Sequence, residues 1–216
     1  MQQSAINEII LQFQRAFEKL AIHPPIQKVE NLALLIHRCM TGSRRVFHTP
    51  EHILSISHQM EEPRQIFAAL FHDIIYFQVD DGFPESVEEL LKCYLVLKDS
   101  SVFFTDNIDP KEIFLRACLD IFQIHPGEEL KIYDGLNEFL SAIVAIKVLE
   151  DLLSPHEMIG LIVCIEGTIP FRGMNERGEN HFEELERILQ EVNSKYDLKL
   201  DQAKITEIVS SAVVLA

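Results

Sequence analysis

The sequence predicts an all-α fold, on three observations. Apolar residues recur at three- and four-residue spacing in nearly every segment. Residues that favour helix starts stand in front of those segments, and proline or glycine stands behind them. Apolar content, 47%, is ordinary for a globular chain, and 216 residues are enough for one well-buried domain.

In order, Ile6, Ile9, Ile10, Phe13, Ala16, Phe17 and Leu20 mark an amphipathic first helix stopped by Pro24-Pro25. Val29, Leu32, Leu35, Ile36 and Cys39 mark a second, ended by Gly42. A loop from Thr41 to Thr49 carries Arg44 and Arg45, and Thr49 then caps a helix with Pro50 in its first position. Glu61-Glu62-Pro63 opens the next helix, which runs through Phe67-Ala68-Ala69-Leu70-Phe71-His72-Asp73-Ile74-Ile75-Tyr76-Phe77 to an exit at Val79-Asp80-Asp81-Gly82. Ser86-Val87-Glu88-Glu89 reads as a capping box for a helix to about Lys98. Asp109-Pro110 opens another with Ile113, Phe114, Ala117, Cys118 and Ile121 on one face, closed at His125-Pro126-Gly127. Long apolar helices are expected from about Gly135 to Leu153 and from Ser154 to Gly167, and two acidic helices from about His181 to Val192 and Asp201 to Val214. Residues 1–216 read as a single domain, with 176–216 as an appended helical pair packed outside or used for homodimerisation.

Composition excludes several classes of function. A formal charge of −15 leaves no basic face for a nucleic-acid polymer, although a small phosphorylated ligand needs only local cations. No stretch has the length of a membrane span and no secretory leader is visible, so a soluble, cytoplasmic protein without membrane partners is expected. Cys39, Cys93, Cys118 and Cys164 are widely separated in apolar surroundings and read as free buried thiols.

The chemistry concentrates around His72 and Asp73. Both sit inside an otherwise apolar helix, where an unpaired charge is too costly to keep, so they need a partner or a metal. A second histidine cluster, Phe47-His48-Thr49-Pro50-Glu51-His52, lies just upstream. If the chain reverses near Glu62, His52 and His72 both lie about 15 Å from the turn at about 1.5 Å per residue, side by side on antiparallel helices. Imidazole and carboxylate are suited to a divalent ion.

These residues carry a resemblance. His52, followed some twenty residues later by His72-Asp73, resembles the HD superfamily of helical metal-dependent phosphohydrolases. Arg45-Val46-Phe47-His48-Thr49-Pro50-Glu51-His52-Ile53 is similar to the Arg-x-Tyr-His-x-x-x-His-Ile signature of a bacterial branch of predicted metal-dependent HD phosphohydrolases, with Phe47 in place of tyrosine. Ala68-Ala69-Leu70-Phe71-His72-Asp73-Ile74-Ile75-Tyr76 is similar to that branch's Ala-Ala-x-Phe-His-Asp-x-x-Tyr. The resemblance implies an HD-like helical bundle and a divalent metal ion (Mn, Mg, Fe, Co, Ni or Zn) on His52, His72 and Asp73. It also implies a small phosphorylated substrate, such as a nucleotide.

Downstream the chain departs from the branch. His125 matches its later histidine, but Phe122 stands where the accompanying threonine would be. Ser141 and Ile143 stand where it has the aspartates of Phe-Leu-Asp-x-Asp-Leu. Two acids offer themselves instead. Asp134 serves either as a ligand or as a helix cap. Glu166, ending an apolar helix, serves either as the distal acid or as the partner of Arg172. In the active reading His48 and Glu166 are the catalytic groups, His48 also being a candidate ligand, and Arg45 and Arg172 offset phosphoryl charge. The alternative is an inactive HD-like module that senses a ligand or binds a protein.

Overall fold

The computed structural model describes residues 4–42, 45–80, 82–98, 101–131, 135–170 and 173–213. The fold is all-α apart from one small sheet. Its helices are α1 (Ala5–Lys19), α2 (Ile26–Met40), α3 (Pro50–Ser57), α4 (Pro63–Phe71), α5 (Phe77–Asp80), α6 (Glu85–Leu91), α7 (Ile113–Ile121), α8 (Leu136–Leu149), α9 (Pro155–Glu166), α10 (His181–Tyr196) and α11 (Gln202–Val213).

Helices α4, α8 and α9 form the centre, because their sequences are apolar on most sides and bury almost every residue. Helix α1 covers α4 through tilted and edge-on phenylalanines, Phe17 and Phe67 having ring centroids 5.0 Å apart and Phe13 and Phe71 5.9 Å apart. Helices α10 and α11 do not sit outside an otherwise complete domain. Leu185, Leu189, Ile208, Val209 and Ala212 belong to the same buried cluster as α8 and α9. Among the described residues no helix is long and apolar enough to cross a membrane.

Two expectations fail in ways that matter. The helix expected to reach Lys98 stops at Leu91, and the chain forms a hairpin, β1 (Leu95–Lys98) with β2 (Ser101–Phe104), to which β3 (Glu129–Leu130) adds. Leu95 faces Phe104 and Val96 faces Phe103, so β-branched and aromatic residues pair across the strands where the start signal at Ser86 had suggested a longer helix. Ser86 does not cap α6; its Oγ lies 3.2 Å from Cys39 Sγ. Cys93 is exposed, while Cys39, Cys118 and Cys164 are buried; all four thiols are free.

The second failure is at the centre of the argument. Helix α4 was expected to carry His72 and Asp73 in its interior, yet it ends at Phe71 with His72 as its C-cap. The chain turns through 72–74 before α5, so the His-Asp pair lies on a bend.

Candidate metal centre

That bend is held by three side chains that satisfy the backbone groups a helix end leaves unpaired. Arg45 donates from Nη1 to the Asp73 carbonyl at 2.7 Å and from Nη2 to the Ile74 carbonyl at 2.9 Å. From α8, Ser141 Oγ accepts the Ile75 N–H at 3.1 Å and Asn137 Oδ1 accepts the Phe77 N–H at 3.1 Å. Ending the helix here swings Asp73 out of the α4 surface and toward α3.

Three imidazoles meet the Asp73 carboxylate on a single oxygen. Oδ2 lies 2.8 Å from His48 Nδ1, 3.3 Å from His52 Nε2 and 3.0 Å from His72 Nε2. His48 and His52 stand on the outer side, their side chains 33% and 37% exposed, whereas His72 and Asp73 are the inner members at 10% and 13%. The site therefore opens to solvent on one side and rests on the core on the other. The His52 and His72 rings are 5.7 Å apart between centroids, so α3 and α4 bring together residues twenty positions apart, as the spacing predicts. His48 is also pinned edge-on against Tyr76, with centroids 4.6 Å apart.

The donor set fits a divalent ion. The donor atoms of His48, His52 and Asp73 all lie within 4.8 Å of one another. His72, expected as a ligand, is not within that span and touches only Asp73 of the set, Nε2 lying 3.0 Å from Oδ2. Its Nδ1 donates to the Ala69 carbonyl at 3.0 Å, which fixes the ring and leaves Nε2 facing the carboxylate, the usual second contact of a ligating histidine.

Electrostatics around the pair follow from burial and from these contacts. Burial works against ionising Asp73, but hydrogen bonds from His48, His52 and His72 outweigh it and hold the carboxyl far below the usual carboxylate range. Burial likewise disfavours charging His72. The bond to Asp73 overcomes it and raises the imidazole above its ordinary value, with help from the charge of Glu138. Glu138 is the acid that the sequence reading passed over. It lies on α8 one turn before Ser141, and that three-residue spacing was the available signal.

Arg45 does not face the site. Its side chain is fully buried, paired to Asp80 through Nε at 2.9 Å and Nη2 at 2.5 Å, and its remaining contacts are the two carbonyls of the bend. In place of the expected substrate contact, its geometry is that of a brace. Glu166 is not among the converging donors. It is buried at the end of α9 with Oε2 3.3 Å from His181 Nε2 of α10, and Arg172, the other partner expected of it, lies outside the described residues. His125 is exposed, away from any part in the donor set, and Ser141 and Ile143 are fully buried. Asp134 and Arg172 lie outside the described residues. Beside this centre, Asp80 also lines a cavity of about 680 Å³ with Arg38, Cys39, Gly42, Pro84 and Ser86. Compared with family models, curated proteins and solved structures, the chain finds no match, so the geometry of its own residues carries the functional argument.

Proposed function

We propose that this chain is a metal-dependent phosphohydrolase acting on a small phosphorylated compound, as its resemblance to the HD superfamily implies. The observation that carries the reading is the convergence of three imidazoles, from two separate stretches of chain, on one carboxylate oxygen. With them, the donor atoms of His48, His52 and Asp73 gather within 4.8 Å of one another, a set that a divalent ion could join.

His52 and Asp73 would hold the ion, with His48 as the nearest further ligand and His72, which the resemblance also assigns to the ion, backing Asp73 through Nε2. Bound there, a divalent ion supplies Lewis-acid activation of water near neutral pH and offsets the charge of a phosphoryl group. The protein's own groups do the rest. Asp73 stays anionic and sets the orientation of the imidazoles around it. Where His48 does not ligate the ion, its half-exposed ring, edge-on to Tyr76, could instead give a proton to a leaving oxygen. Glu138 adds negative charge that favours a charged His72, which differs from the ligand role the resemblance gives a distal aspartate. Arg45 keeps the bend from relaxing.

A second reading, an inactive ligand-sensing or partner-binding module, is favoured by one observation. Ser141, at a position the resemblance fills with an aspartate, has its Oγ committed to the Ile75 N–H. Metal analysis separates the two. Full-length protein purified without chelator and supplied with Mn, Co, Ni, Fe, Mg or Zn is expected to hold one ion per chain and to hydrolyse members of a phosphate-ester panel. Asp73→Asn should weaken metal binding by 100-fold or more and abolish turnover. A chain that takes up no stoichiometric metal under any of these supplements is not a phosphohydrolase of this kind.

A further inference from the structure

Of the three gathered donors, His48 is the one that no braced element carries. His52 is set by α3 and Asp73 by the bend that Arg45 holds. His48 stands on the irregular stretch ahead of α3, and its side chain is 33% exposed, so its own backbone gives the ring little direction. Contacts from elsewhere fix it instead. Its Nδ1 donates to Asp73 Oδ2 at 2.8 Å, and the Tyr76 ring meets the imidazole edge-on, with centroids 4.6 Å apart and planes at 75°. The His52 ring is a more distant neighbour at 5.7 Å.

Tyr76 is itself anchored. Its N–H donates to Asp80 Oδ2 at 3.3 Å, and its carbonyl accepts from the N–H groups of Val79 at 3.0 Å and Asp80 at 2.9 Å. Asp80 in turn is held by the buried Arg45, which also holds the Asp73 and Ile74 carbonyls. One ion pair therefore fixes both contacts of His48, the carboxylate at 73 and the ring at 76. Without the ring, His48 keeps a single hydrogen bond on a side chain open to solvent.

We propose that Tyr76 is a positioning residue of this centre: its ring holds His48 in place as a donor to the ion, and it acts on the ion through His48. This rests on the metal-dependent reading above.

The test is calorimetric titration of full-length, metal-free protein with Co, with the visible absorption of the bound Co as a second readout. Tyr76→Ala should weaken Co binding by roughly threefold to tenfold, the range an aromatic pair supports, and should alter the absorption, which follows the ligands around the ion. Tyr76→Phe keeps the ring and should restore both. In a His48→Ala background, Tyr76→Ala should cost nothing further, because a residue that acts through another loses its effect when the other is gone. If Tyr76→Ala fails to fold, Tyr76→Leu takes its place in the same cycle. Effects that add in the double variant overturn the proposal alone and leave Tyr76 a structural role. A Tyr76→Phe protein as impaired as Tyr76→Ala overturns it too, since the ring is then not what counts. Wild-type protein that binds another of the divalent ions named above in place of Co is carried through the cycle with that ion. Wild-type protein that binds none of them overturns the metal-dependent reading, and this proposal with it.

Discussion

Arg45 shows how much of the candidate site depends on a residue that never faces it. Its guanidinium neutralises Asp80, whose side chain is only 9% exposed, and accepts no substitute that lacks a planar fork. Arg45→Ala is expected to destabilise the chain by about 3–5 kcal/mol, the cost of stranding a buried partner charge. Arg45→Lys should recover only part, and urea unfolding measures both. Asp73 and His72 predict the pH response. The carboxyl is depressed, so its contribution to stability is present above its unfolded value of about 4 and is lost as pH falls through the folded one. The imidazole is raised, so its contribution is present below about 6.5 and is lost as pH rises through the folded value. Protein kept in chelator should therefore melt at its highest temperature on the acid side of neutrality and lose stability toward about pH 8. A divalent ion competes with protons for the imidazoles, so the rise in melting temperature on adding it should grow over the same interval. Calorimetric melting with and without ion checks both, and a melting temperature flat from about pH 6 to about pH 8 in chelator contradicts the His72–Asp73 coupling.

Among the elements, the contact between α8 and the bend after α4 matters most. Periodicity alone places α8, and nothing in it marks Ser141 as anything but a small core residue. In the fold, its Oγ takes the N–H of Ile75, which is fully buried. Ser141→Ala should cost about 1–3 kcal/mol by leaving that donor unpaired, and it should loosen metal binding as well, because the bend positions Asp73. Equilibrium unfolding together with metal titration reads both effects. A change in stability with metal affinity untouched would separate the bend from the site. The same contact explains why α4 stops early. A helix through Phe77 keeps its own hydrogen bonds, whereas here Arg45, Ser141 and Asn137 supply replacements from elsewhere in the chain, and the turn becomes affordable.

Across the whole molecule, the C-terminal helices are tied to the helix that delivers the site. Arg64 at the start of α4 lies 2.6 Å from Glu207 of α11, and Gln65 donates to the Ser211 carbonyl at 2.7 Å. At the C-cap of α9, a Cβ added at Gly167 would lie 3.0 Å from both the Ala212 Cβ and the Ala212 carbonyl oxygen, so α11 rests directly on that glycine. Gly167→Ala should force α11 outward at a cost of about 1–3 kcal/mol. Denaturant unfolding and the rate of proteolysis at the C-terminal segment follow it. An unchanged protein would mean that α11 gives way without loss and does not brace α4.

Helix periodicity, together with proline and glycine punctuation, was enough to place α1, α2, α8 and α9 to within a few residues, because each buries a stripe or a whole surface that its own sequence records. The histidine spacing was likewise legible, since 52 and 72 must meet if two helices fold back on one another. Three things were decided only by the tertiary structure: the bend at His72, the hairpin after α6 and the bracing role of Arg45. At the bend, at Arg45 and where β3 joins the hairpin, backbone or charge is satisfied by a partner distant in sequence, and a local pattern holds no record of which distant group will arrive.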